Sequence, residues 1–141
     1  MNSNISKGAG TKLSRLVIVL AIVMVVNVVV IILLTPIGFE TRPQSALKPL
    51  GYIAIATIFF GLALDLTSIV LLFMRIRVRL ASSLVIISSI LFLLVISVDR
   101  TGSFFSVPIP PAINTLEYLL TAVIIVTLVI ASVVYRKSKP A

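Results

Sequence analysis

Residues 50–74 read LGYIAIATIFFGLALDLTSIVLLFM, a run in which Asp65 is the sole charged side chain. About 20 mostly apolar residues wound as a helix cross a bilayer core of about 30 Å. A transmembrane strand needs only about 10, with apolar and polar positions alternating, and this run neither stops at 10 nor alternates. Inside lipid a helix also satisfies every backbone hydrogen bond within one segment. The stretch therefore reads as a spanning helix despite its β-branched residues, bounded by Lys48 and Pro49 on one side and by Arg75, Arg77 and Arg79 on the other.

Three more runs of this kind flank it. Leu13 to Leu34 closes at Thr35, Pro36 and Gly38; Leu80 to Val98 ends at Asp99 and Arg100; Leu116 to Tyr135 ends at Arg136 and Lys137. With 141 residues, 60% apolar and 11% charged, against about 25% charged in a soluble domain, the chain fits four spans and short connections. The expected fold is all-α, an integral membrane four-helix bundle with spans at about 13–34, 50–74, 80–98 and 116–135. Residues 1–12, rich in Asn, Ser, Gly and Lys, are expected to be a disordered lead-in, and 136–141 a basic tail, frayed from Ser138 onward. The first apolar core is longer than a secretory signal's, and no small-x-small cleavage pattern follows it, so it reads as a retained anchor.

Lys7, Lys12, Arg15, Arg75, Arg77, Arg79, Arg136, Lys137 and Lys139 fall on one side of the four spans, and only Arg42, Lys48 and Arg100 on the other. By the positive-inside rule, both termini and the second loop are expected in the cytoplasm of a cell membrane. The net charge of +8 then has an ordinary cause, topology plus attraction to anionic lipids at the cytoplasmic face. It calls for no nucleic-acid partner.

The chain has no Cys and no His, which removes disulfides, thiol nucleophiles, histidine-ligated haem and zinc, and the Ser-His-Asp triad. No cofactor and no metal site are expected. What remains is a small set of polar residues where lipid would exclude them. Asp65 lies about 4 to 5 Å from the midpoint of its span at 1.5 Å per residue. A charge there costs about 2.5 to 3.5 kcal/mol, so Asp65 should be protonated, hydrogen-bonded or beside water.

At about 100° per residue, Ala54, Thr57, Gly61, Asp65 and Ser68 share one helix face, small and polar enough for close packing. Ser82 and Ser89 lie seven apart on the third span; Asn114, Glu117, Thr121 and Ser132 fall on one side of the fourth; the first offers Asn27. Asn27 and Asp65 should differ in depth by about 9 Å, which makes Ser88 or Ser89 the nearer partner for Asp65. Two readings follow for a polar site of Asp65, Thr57, Ser68, Ser89 and Asn27: interhelical glue, or a proton or cation path.

The third loop, Asp99 to Pro111, carries Gly102, Phe104, Phe105 and three prolines. It reads either as an interfacial aromatic belt or as a rigid outer docking surface formed by Asp99, Arg100, Phe104, Phe105 and Glu117. Asn114 followed by Glu117 also resembles a capping box opening the fourth helix. The expected function is a non-catalytic accessory or structural subunit of a membrane complex, partnered by lipid and other membrane subunits. The alternative is a small proton, cation or solute transporter using Asp65. An enzyme is not expected, because Asp65, Asp99 and Glu117 fall at different depths.

Overall fold

The computed structural model describes residues 2–40, 45 and 47–138, with backbone alone at 2–12 and 37–40. Four helices follow one another: α1 Asn2–Glu40, α2 Pro49–Met74, α3 Val78–Arg100 and α4 Pro111–Lys137. All four are long and apolar enough to cross a membrane. Each packs against its sequence neighbours, and α4 closes the ring on α1. Contacts join the start of each helix to the end of the next, so the bundle is antiparallel. One end carries the α2–α3 turn with the outer ends of α1 and α4, and is the basic end. The other carries the two longer connections and is the loop end.

The boundaries differ from those expected at both ends of α1 and both ends of α4. α1 is helical from Asn2, so the lead-in expected to be disordered continues the helix; once a helix is nucleated, each further residue adds one backbone bond. It also runs through Pro36, where the missing N–H removes one bond and the adjacent Thr35 hydroxyl donates back to the Ile31 carbonyl at 2.7 Å. α4 begins at Pro111, earlier than Leu116, because Pro110 is extended and a proline at the first helical position has no N–H to leave unmatched. Asn114 therefore lies inside the first turn, its N–H bonded to the Pro110 carbonyl at 3.0 Å. No side chain caps this helix, which corrects the capping role expected of Asn114 and Glu117. Ser138 is buried and caps the end of α4, its N–H bonded to the Val134 carbonyl at 2.9 Å. It is not frayed. Arg42, Lys139 and the last two residues lie outside the described residues, as do the side chains of Lys7 and Lys12.

Buried positions on α4 are Ile113, Glu117, Leu120, Ile124, Thr127, Ala131 and Val134, an alternation of four and three that is the heptad seam of helices packed nearly antiparallel. Three apolar clusters result, two of them between the helices and a third, around Ala54, Phe104 and Phe105, under the loops. Leu20, Met24, Leu72, Val85 and Val134 fill the basic end, and Ile31, Phe92, Ile113, Leu120 and Ile124 the loop end. The outward faces of all four helices are apolar too, with Ile22, Phe59, Leu94 and Val129 among the exposed side chains. A helix that is apolar all round suits lipid.

The α2–α3 turn is tight. Arg75 takes the left-handed conformation (φ 56) and closes α2 with a Schellman pattern, Arg75 N–H to Leu72 and Ile76 N–H to Leu71, both at 3.1 Å. Arg77 is left-handed as well (φ 47) and opens α3. Arginine–tyrosine stacks pin α3 to α4 at both ends: Arg79 lies 4.5 Å over Tyr135, and Arg100 lies 4.1 Å over Tyr118.

Candidate functional site

Between the two apolar cores lies a layer of buried polar side chains: Asn27 on α1, Asp65 and Ser68 on α2, Ser88 and Ser89 on α3, and Thr127 on α4. The helical period delivers them to the interior at positions where hydrocarbon would be costly for them. Two cross-helix contacts organise the layer. Ser88 Oγ donates to Asp65 Oδ1 across the α2–α3 interface, and Asn27 Nδ2 donates to Thr127 Oγ1 at 2.5 Å across α1–α4. Ser68, in this layer, and Thr57, nearer the loop end, turn back on their own helix: Thr57 donates to the Ile53 carbonyl and Ser68 to the Leu64 carbonyl, each at 2.8 Å.

Ser88 Oγ also lies 3.0 Å from the Val85 carbonyl. A serine hydroxyl has a single hydrogen. That hydrogen is shared between the two acceptors, the Asp65 carboxyl oxygen and the Val85 carbonyl, as a three-centre bond. In the second pair Thr127 donates to the Val123 carbonyl at 2.8 Å, so its oxygen accepts from Asn27. Asn27 Oδ1 is left buried with no hydrogen-bond partner among the described residues.

Of the residues singled out from the sequence, Asp65, Ser68 and Ser89 are buried in this layer, while Thr57 sits half-buried. Asn27 belongs to the other helix pair and does not bond Asp65. Thr127 is the residue that sequence reasoning missed. It hides in an apolar run, and its signal is the heptad spacing it shares with Glu117, Leu120, Ile124 and Ala131.

A second constellation occupies the loop end. Phe104 and Phe105 were expected at the membrane interface or on an outer docking face, but both rings are buried, packed with Ala54, Leu47 and Val95. The cause is pairing between distant loops. The Lys48 N–H donates to the Phe104 carbonyl at 2.7 Å, and Leu47 forms an antiparallel bridge with Phe105. Gly51 makes this approach possible, since a Cβ there would lie 2.9 Å from the Phe104 carbonyl oxygen. Gly102 makes the preceding turn in the left-handed region (φ 76). Its carbonyl accepts from Lys48 Nζ at 3.0 Å.

Beneath this cap is a partly open chamber of about 90 Å³, walled mainly by apolar residues, with Asp99 and Glu117 also on its lining. Both acids are buried, only 6% exposed. Glu117 Oε2 pairs with Arg100 Nη1 at 3.5 Å. Asp65 does not line the chamber. The chain matches no protein-family model, and neither the curated proteins nor the solved structures contain a match.

Proposed function

We propose that the chain is a non-catalytic accessory or structural subunit of a larger complex in the cell membrane, with both termini cytoplasmic and anionic lipids at its basic end. The observation that carries this reading is the use made of the intramembrane acid. Asp65 meets Ser88 across a helix interface and lies apart from the loop-end chamber, which is the arrangement of interhelical glue. A carboxyl held in this way adds stability and helix register, with about 0.6 kcal/mol as an average for such bonds in a membrane protein. A transporter would instead place Asp65 on a polar path reaching one face of the membrane.

Extraction of the tagged chain at native abundance in a gentle detergent, followed by native electrophoresis and mass spectrometry, tests the proposal. Co-migration with other membrane proteins in a defined ratio is the expected result, and a lone monomer would overturn it. Proton or cation flux into liposomes that Asp65→Asn abolishes would establish the transporter in its place.

A further inference from the structure

The chain has four acidic side chains, and none belongs to the basic end: Glu40, Asp99 and Glu117 lie at the loop end and Asp65 in the middle layer. At the basic end Arg75, Arg77, Arg136 and Lys137 are exposed and Arg79 is half-buried. Among the described residues this positive charge has no counter-charge within the chain. Apolar side chains are exposed beside it: Phe73 and Met74 precede the arginines of the α2–α3 turn, and Ile76 stands between two of them. Basic and apolar side chains together suit the boundary between headgroups and acyl chains. A free phosphate or a soluble polyanion would leave the apolar part uncovered.

The arginines are held in place. The Arg79 guanidinium lies 4.5 Å over the Tyr135 ring. Such a stack engages the face of a guanidinium, and its N–H groups remain for the in-plane, two-pronged contact with phosphate oxygens. Arg136 and Lys137 directly follow Tyr135, so the stack brings the basic end of α4 beside the turn. Arg75 and Arg77 both hold left-handed backbone (φ 56 and 47), whereas glycine makes the other left-handed turn, at Gly102. Strain kept at a residue with a long charged side chain points to a use for that side chain. Charge then selects the headgroup. A phosphodiester carries a single negative charge, while a terminal phosphomonoester carries about 1.5 to 2 and three acceptor oxygens, the better match for three arginines within five residues.

We propose that the α2–α3 turn, with Arg79 braced on Tyr135, binds the headgroup of a phospholipid that ends in a phosphomonoester, the acyl chains lying against Phe73 and Met74. The inference rests on the reading above that anionic lipids gather at the basic end, and names the headgroup chemistry preferred there. It does not depend on the subunit role.

The full chain, with isotope-labelled arginine, is reconstituted in nanodiscs of neutral phosphatidylcholine and followed by NMR. The discs carry rising fractions of phosphatidic acid, whose headgroup is a phosphomonoester, or of phosphatidylglycerol, whose headgroup is a diester. The Arg79 Nε signal reports on the site, and the Arg100 Nε signal, at the loop end, is the reference. The expected result is a saturable shift at Arg79 and none at Arg100, half-complete at about a tenth of the fraction with phosphatidic acid that phosphatidylglycerol requires, as one added charge-assisted hydrogen bond allows. Arg75→Gly relieves backbone strain and so should fold at least as well as the parent, yet it should weaken phosphatidic acid binding about tenfold. Equal response to the two lipids would overturn the proposal and leave general attraction to anionic lipid standing, whereas no response to either would remove both. Unchanged binding by Arg75→Gly would also overturn it. So would inorganic phosphate that shifts Arg79 as readily in phosphatidylcholine alone, because the site would then recognise phosphate and not a lipid.

Discussion

Ser88 on α3 donates to Asp65 on α2, and the same Ser88 oxygen lies 3.0 Å from the carbonyl of Val85. One hydroxyl thereby links the acid near the middle of α2 to the backbone of the neighbouring helix. The arrangement distinguishes two substitutions that resemble each other on paper. Asp65→Asn keeps an acceptor oxygen facing the Ser88 hydroxyl and should cost less than about 1 kcal/mol of stability, whereas Ser88→Ala removes the partner of a buried polar group and should cost about 1 to 3 kcal/mol. Unfolding in mixed detergent micelles measures both. Equal losses would show that an amide oxygen at position 65 cannot replace the carboxyl as the acceptor for Ser88.

The Asn27–Thr127 pair has one buried oxygen, Asn27 Oδ1, without a hydrogen-bond partner among the described residues. Thr127→Val alone should destabilise by about 1 to 2 kcal/mol, because it leaves the Asn27 amide without its acceptor as well. Asn27→Leu combined with Thr127→Val should recover most of that loss, since removing both polar partners costs less than removing one. A double-mutant cycle on the same unfolding assay reads the coupling.

Gly51 admits the Phe104 carbonyl, and a backbone oxygen cannot swing aside as a side-chain tip can. Gly51→Ala should therefore displace the third loop and cost about 1 to 3 kcal/mol, the usual range for overpacking. The accompanying sign is faster protease cleavage between Thr101 and Pro110 than in the parent chain.

Arg75 holds a left-handed conformation that costs an ordinary residue about 1 to 2 kcal/mol. Arg75→Gly should relieve that strain and stabilise the chain by about 1 kcal/mol, a gain visible as slower unfolding. Loss of stability instead would mean that the Arg75 side chain contributes more than its backbone strain costs.

The orientation predicted by the basic residues can be read with single cysteines, because the chain has none of its own. Ser106 and Lys137 are both exposed, at opposite ends of the bundle. In intact cells an impermeant thiol reagent should label Ser106→Cys and spare Lys137→Cys until the membrane is opened.

The sequence alone specifies four apolar helices and the separation of most basic residues to one end. Both are properties of single segments: hydropathy over about 20 residues and the flanking charges act without reference to any neighbouring helix. It also put Asp65 opposite Ser88 or Ser89, because the depth of a residue along a span follows from its position in the helix. The tertiary structure alone decided which residues touch. Thr127 meets Asn27 because interdigitated side chains set the rotation of α4 against α1, and no single span records that rotation. Phe104 and Phe105 turn inward because Lys48 and Leu47, more than fifty residues away, pair with their backbone. Glu117 left its expected cap for an ion pair with Arg100 because α4 starts at Pro111. Each of these outcomes depends on register between segments, and register is fixed only when the segments pack.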